Sequence, residues 1–120
     1  MSLLDYRAWI LALLVFSLMQ PVYASCQLKE KEIIGEWQTV GDDGFFEEFE
    51  LTNNHHFNSW LHQRPEFINA TWRLNDCTLI ILDKAQSRLA YQVKLIDSQL
   101  VLIEHTNGVD YPTRYQKIKH

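Results

Sequence analysis

From residue 33 onward, apolar and polar residues alternate along short segments that are separated by turn-forming residues. Alternation with a period of two is typical of half-buried β-strands. The breaks are rich in Gly, Asn and Pro, which favour turns because Gly and Asn tolerate positive φ and Pro lacks an N–H donor. The pattern predicts eight strands, at residues 33–40, 44–52, 56–63, 67–74, 77–83, 88–96, 99–105 and 111–118.

Residues 27–32 are polar and rich in helix formers, which predicts a short helical turn before the first strand. Eight short strands with tight connections favour an antiparallel meander. A meander with one apolar face closes most easily on itself, because closure removes its exposed edges. The predicted fold is therefore all-β, a small eight-stranded up-and-down antiparallel barrel with a short N-terminal helical turn. A half-open barrel or a small sandwich is the alternative.

The spacing of apolar residues predicts the register of the second and third strands. Pairing Leu51 with Phe57 and Phe49 with Ser59 turns both apolar sets inward and leaves residues 53–55 as a loop. A slip by one residue would turn the whole set to solvent. The same rule predicts inward-facing Phe45, Glu47, Leu61, Leu89, Tyr91, Val93, Leu95, Leu100, Leu102, Tyr111, Thr113 and Tyr115, and outward-facing Phe46, Trp60 and Phe67.

Residues 1–24 have the layout of a secretory signal peptide, with Arg7, an apolar run over residues 8–19 and the small residue Ala24. The apolar run is shorter than the ~20 residues that span a bilayer, which disfavours a retained membrane anchor. Cleavage after Ala24 leaves residues 25–120 as one periplasmic or secreted domain with no transmembrane span. Residues 23–26 also resemble a lipobox, so an envelope lipoprotein anchored through Cys26 is an alternative.

The chain has a formal net charge of −4 and no basic run, which argues against a nucleic-acid partner. Its two cysteines, Cys26 and Cys77, both follow the predicted cleavage site. In an oxidising compartment such a pair typically forms a disulfide. The loop it closes corresponds to roughly 4 kcal/mol of stabilisation in the chain-entropy model. Lipidation of Cys26 would leave Cys77 alone, so the two interpretations compete.

The segment that opens the first strand, residues 33–37, contains Gly35 and Trp37. It resembles the Gly-x-Trp signature of the lipocalin-like, or calycin, superfamily. Residues 49–57, 71–79 and 97–102 are also similar to small bacterial lipocalin-like domains. The resemblance implies that Trp37 plugs the barrel floor beneath the helical turn and that a late cationic side chain, Arg114 or Lys117, packs over it.

No serine, histidine or aspartate lies in a nucleophile elbow, and no nucleophile, base and orienting group are clustered, so we expect a protein that is not an enzyme. His56 and His62 share the outward face with Glu48 and Glu50 of the neighbouring strand, an arrangement that could hold a divalent ion. A metal site needs three or four converging ligands, and we therefore predict no metal and no cofactor.

Five residues that the pattern places inward are candidate ligand-binding residues: Glu47, Phe49, Phe57, Tyr91 and Tyr115. A few polar groups in an aromatic cup are typical of small-molecule sites. These five residues predict an exported binding module that holds a small apolar or amphipathic ligand at the barrel mouth. Glu47 either lies half in water at the mouth or is buried against a partner.

Small barrels are often filled by their own side chains. A filled interior would favour either of two alternative functions. One is a protein-interaction module such as an exported protease inhibitor, several of which are small disulfide-containing barrels that insert an N-terminal arm into the protease. The other is a structural envelope lipoprotein.

Overall fold

The computed structural model describes residues 26–41 and 45–120. The predicted signal peptide, residues 1–24, and its cleavage site lie outside this part of the chain. The described residues form eight antiparallel strands in sequence order, and the last strand pairs with the first to close a barrel. The predicted fold, an all-β up-and-down barrel preceded by a short helix, is confirmed.

The helix and strands occupy short segments. They are α1 (Glu30–Ile33), β1 (Gly35–Thr39), β2 (Glu48–Leu51), β3 (His56–Leu61), β4 (Arg64–Asn75), β5 (Thr78–Leu82), β6 (Arg88–Ile96), β7 (Gln99–Thr106) and β8 (Val109–Lys117). Connections in a meander alternate between two ends of the barrel. The floor is the end with α1 and connections 52–55, 76–77 and 97–98. The mouth is the opposite end, with connections 62–63, 83–87 and 107–108. No helix of the described residues has the length and hydropathy to cross a membrane.

The predicted register of the β2–β3 hairpin is confirmed. Leu51 pairs with Phe57 and Phe49 pairs with Ser59. All four side chains are fully buried, as the alternation predicts. The N–H of Thr52 donates to the carbonyl of His56 (3.0 Å), which leaves residues 53–55 as the loop.

The β3–β4 turn lies earlier than predicted, at His62 and Gln63 rather than at residues 64–66. Their φ values are 52° and 64°, and a two-residue type I′ turn requires positive φ at both central positions. Pro65 consequently lies inside β4, opposite Trp60, where the register shifts. Proline is tolerated at such irregularities because no regular ladder bond needs its missing N–H. The prediction of a turn at Pro65 is therefore wrong.

β2 begins at Glu48, so residues 45–47 precede the regular ladder and the period-two rule does not apply to them. Phe46 is 2% exposed and lies in the core, and Phe67 packs beside it with ring centroids 6.3 Å apart. The prediction that both rings face outward is wrong. Tyr111, predicted to be inside, is 51% exposed because β8 extends beyond the part that pairs with β1.

Trp37 closes the floor of the barrel. Its side chain is buried, and its indole Nε1 donates to the carbonyl of Ile33 at the end of α1 (2.9 Å). Lys117, rather than Arg114, is the late cation beside it, with Nζ 5.7 Å from the centre of the indole ring. Gly35 has a φ of 140°, and a Cβ there would lie 2.6 Å from Cε of Lys117. Glycine thus supplies both the backbone conformation and the room for the lysine.

Cys26 and Cys77 lie at disulfide distance, with Cα atoms 5.7 Å apart across 51 residues of sequence. The pair joins the segment before α1 to the β4–β5 turn. The N–H of Cys26 also donates to Oδ1 of Asp76 in that turn (3.2 Å). The start of the domain is therefore held against the floor.

We expect Trp37→Ala to lower the free energy of unfolding by about 3–5 kcal/mol, because it truncates a buried large aromatic and removes a buried hydrogen bond. Trp60→Ala, on the outer face of β3, should cost far less. Urea denaturation of both variants measures the difference. Equal losses would contradict the role of Trp37 as the floor plug.

Candidate binding surface at the barrel mouth

Aromatic rings fill the barrel interior below the mouth. Ring centroids lie 4.8 Å apart for Phe49 and Tyr115 and 5.2 Å apart for Phe46 and Phe57. Phe49, Phe57 and Tyr115, three of the candidate ligand-binding residues, are 0% exposed. These three side chains are part of a packed core, which leaves their faces in contact with one another rather than with a cavity.

Tyr115 is bonded as well as buried. Its hydroxyl accepts a hydrogen bond from the backbone N–H of Phe46 (3.2 Å). Burial is the largest effect on its phenol and raises the pKa of Tyr115 well above its ordinary value. This bond joins β8 to the segment before β2 and satisfies a buried donor that precedes the regular ladder.

Tyr91 lies closer to the mouth. It is 7% exposed, and its ring stacks on Phe45 at a centroid distance of 5.2 Å. Its hydroxyl has no hydrogen-bond partner among residues 26–41 and 45–120. Burial, followed by the negative charges of Glu104 and Glu66, raises the pKa of Tyr91 to about 12.

Glu47 lies at the rim with its side chain 45% exposed. Its carboxylate accepts a hydrogen bond from the backbone N–H of His62 (2.7 Å), and Nδ1 of the His62 ring is 3.6 Å away. Glu47 therefore contacts the β3–β4 turn, whereas Tyr91 and Tyr115 are packed in the interior.

Glu104 is a mouth residue that the sequence reasoning missed. It lies two residues beyond the inward-facing Leu102 on β7 and pairs with Tyr111 of β8. The β6–β7 register, extended by one residue, places it opposite Tyr91. Inward- and outward-facing residues alternate along β7. Extending that alternation from Leu102 by two residues would have identified Glu104 as inward-facing.

Glu66 is the second carboxylate of the mouth. It lies on β4 beside the register shift and accepts a hydrogen bond from Oγ of Ser59 (3.3 Å), a residue that is fully buried. Sequence alone had no signal for this position, because Glu66 follows Pro65 in what looks like a turn.

A recess of about 470 Å³ opens at the mouth on the β7–β8 side. In the described part of the chain it is lined by Phe45, Glu104, Thr106, Tyr111, Pro112 and Thr113. One acidic side chain thus stands among aromatic and aliphatic walls above the packed core.

The two histidines that the pattern placed on one outer strand face lie apart from each other, His56 at the start of β3 and His62 in the β3–β4 turn against Glu47. The amide of Asn58 donates to Oε1 of Glu50 (3.1 Å), and Nδ1 of His56 is buried without a hydrogen-bond partner in the described residues. Within the same residues, no group of three or more His, Cys, Asp or Glu side chains is placed to hold a metal ion.

The two buried tyrosines should respond differently to loss of the hydroxyl. Tyr115→Phe should lower the free energy of unfolding by about 1–3 kcal/mol, because it leaves the buried N–H of Phe46 without an acceptor. Tyr91→Phe should be neutral or stabilising, because its hydroxyl has no partner to lose. Urea denaturation of the two variants is the test, and equal losses would contradict this assignment of hydrogen bonds.

Stability should fall at alkaline pH. The folded state keeps the phenol of Tyr91 protonated to about pH 12, whereas the unfolded chain loses that proton from about pH 10. Over this window the unfolded state binds fewer protons, so the free energy of unfolding decreases as pH rises. Each such tyrosine contributes a loss of up to about 1.4 kcal/mol per pH unit. Urea titrations from pH 9 to 12 should show a smaller slope for Tyr91→Phe than for wild type, and identical slopes would contradict the shift.

Comparisons of this chain with protein-family models, with curated proteins and with solved structures found no match. The closed eight-stranded barrel is compatible with a lipocalin-like fold. Membership of that superfamily remains a prediction, carried by Gly35, Trp37 and the packing of Lys117 beside them.

Proposed function

We propose that this protein is an exported binding module that recognises a protein partner with the mouth of its barrel. The observation that carries the proposal is the packed interior, where Phe46, Phe49, Phe57 and Tyr115 are at most 2% exposed. A barrel filled by its own side chains has no enclosed site for a lipid-like ligand. A partner would therefore contact the rim and the recess beside Glu104.

The rim exposes apolar side chains from three parts of the chain. Val40, Leu61, Val109 and Tyr111 are between 42% and 51% exposed. Single exposed apolar residues are ordinary, but several at one end of a small domain fit the apolar centre of a protein interface. The mouth is therefore the part of the surface best suited to a protein partner.

Recognition through the mouth differs from insertion of an N-terminal arm. The Cys26–Cys77 pair holds the segment before α1 against the floor, at the end of the barrel opposite the rim. The pair also supports export, since disulfides persist in oxidising compartments, and it uses the cysteine that a lipid anchor would need.

The test is affinity capture from the native host with the processed protein as bait. Leu61→Asp and Val109→Asp place a charge on the rim, where burial in an interface penalises it. Each should reduce specific capture at least tenfold. Ile96→Asp is the matched control, because Ile96 is 49% exposed but lies at the floor end of β6.

Loss of capture with Ile96→Asp and retention with both rim variants would contradict recognition through the mouth. Stoichiometric binding of an apolar fluorescent probe to the wild-type protein would instead support the small-ligand function, because such a probe needs an accessible cavity.

A further inference from the structure

We propose that the mouth recess beside Glu104 is a binding site for a cationic side chain, the ammonium of a lysine or the guanidinium of an arginine, presented by the protein partner. The inference rests on the proposed function and adds to it the chemistry of the residue that is recognised.

The mouth carries two carboxylates that are not neutralised by a cation of the described residues. Glu104 accepts a hydrogen bond from the hydroxyl of Thr106 (3.3 Å), and Glu66 accepts one from that of Ser59 (3.3 Å). Neither carboxylate has a cationic partner among residues 26–41 and 45–120. The ion pairs found there are all made by histidines, with the carboxylates of Glu30, Glu36, Glu47 and Asp110. The negative charge at the mouth is thus available to a cation from outside.

Tyr91 adds a hydrogen-bond acceptor near Glu104. The residue is 7% exposed, and its hydroxyl has no hydrogen-bond partner in the described part of the chain. Tyr91 faces inward on β6, opposite Glu104 in the extended register, and its ring supports Phe45, which lines the recess. Among the described residues, only Nδ1 of His56 is a buried side-chain nitrogen or oxygen without a hydrogen-bond partner, so the unbonded oxygen of Tyr91 is accessible from outside the barrel. A phenol oxygen in that position can accept a hydrogen bond from an ammonium or guanidinium group.

The wall of the recess suits the stem of a long cationic side chain. Phe45, Tyr111 and Pro112 offer aromatic and aliphatic surface around Glu104. Lysine and arginine bury their methylene stems on apolar surface while the charged head reaches a polar partner. Aromatic faces also attract cations directly. A neutral apolar group would leave the charge of Glu104 without a cationic partner, and an anion would be repelled by Glu104 and Glu66.

The experiment is an NMR titration of the processed protein with the peptide acetyl-Leu-Lys-Leu-amide. Its matched control replaces lysine by norleucine, which keeps all four carbons of the stem and removes the charged ammonium group. The lysine peptide should shift the amide signals of residues 91 and 104–113 saturably, and the norleucine peptide should bind at least tenfold more weakly.

Two protein variants define the site. Glu104→Gln should weaken the lysine peptide at least tenfold, whereas Glu48→Gln, the same charge change on an exposed outer position of β2, should leave its affinity unchanged. Tyr91→Phe removes the unbonded hydroxyl and should weaken binding several-fold without loss of stability. The Tyr91→Phe variant therefore still tests the site if Glu104→Gln fails to fold.

A third ligand, n-butylammonium, separates a partner's side chain from a free amine. It should bind more weakly than the lysine peptide, whose leucines can contact the rim. Equal affinity would overturn the assignment to a protein side chain, and equal binding of the lysine and norleucine peptides would overturn the cation site. If the rim variants lose capture while Glu104→Gln retains both capture and peptide binding, the proposed function stands and this site alone is overturned.

Discussion

The pairing of β1 with β8 is the constraint on which the rest of the structure depends. Closure removes both free edges of the meander and sets an interior of the size that eight strands can fill with side chains. Trp37 lies at this seam, opposite Lys117, with its indole bonded to the end of α1. The same seam brings Tyr115 to the interior position from which its hydroxyl reaches the N–H of Phe46.

Closure also explains why the mouth, rather than the interior, carries the candidate site. The seam covers only the floor half of β8, from Tyr115 to Lys117. One further bond, from the N–H of Val40 to the carbonyl of Arg114 (3.0 Å), extends the seam. Residues 109–113 pair with β7 and rise beyond the packed rings, so that Glu104 and Tyr111 stand above the core. Because side chains fill the interior and β7 and β8 extend past it, the carboxylate of Glu104 is presented at the rim.

Short turns keep that rim in place. Two-residue turns join β3 to β4 and β7 to β8, and in both the central residues have positive φ. Asn107 and Gly108 suit this conformation, whereas His62 and Gln63 adopt it at a cost of roughly 1–2 kcal/mol each. The hydrogen bond from His62 to Glu47 offsets part of that cost and fixes the turn. The parts of the rim formed by these two turns lose little conformational entropy when a partner binds.

The alternation of apolar residues by itself determined the number of strands and the register of Phe49 opposite Ser59, because residues on a paired strand alternate between two faces. It favoured a closed barrel but left a half-open barrel or a small sandwich as alternatives. It could not determine where each ladder begins and ends, since strand ends depend on the neighbouring strand and on turn geometry. Only the tertiary structure decided that β2 begins after Phe46, that the β3–β4 turn precedes Pro65, and that Lys117 rather than Arg114 of the same strand lies beside Trp37. The positions settled in this way are Phe46, Pro65, Glu66, Phe67, Glu104 and Lys117, each at a place where strand ends, bulges or contacts between distant segments override the local period of two.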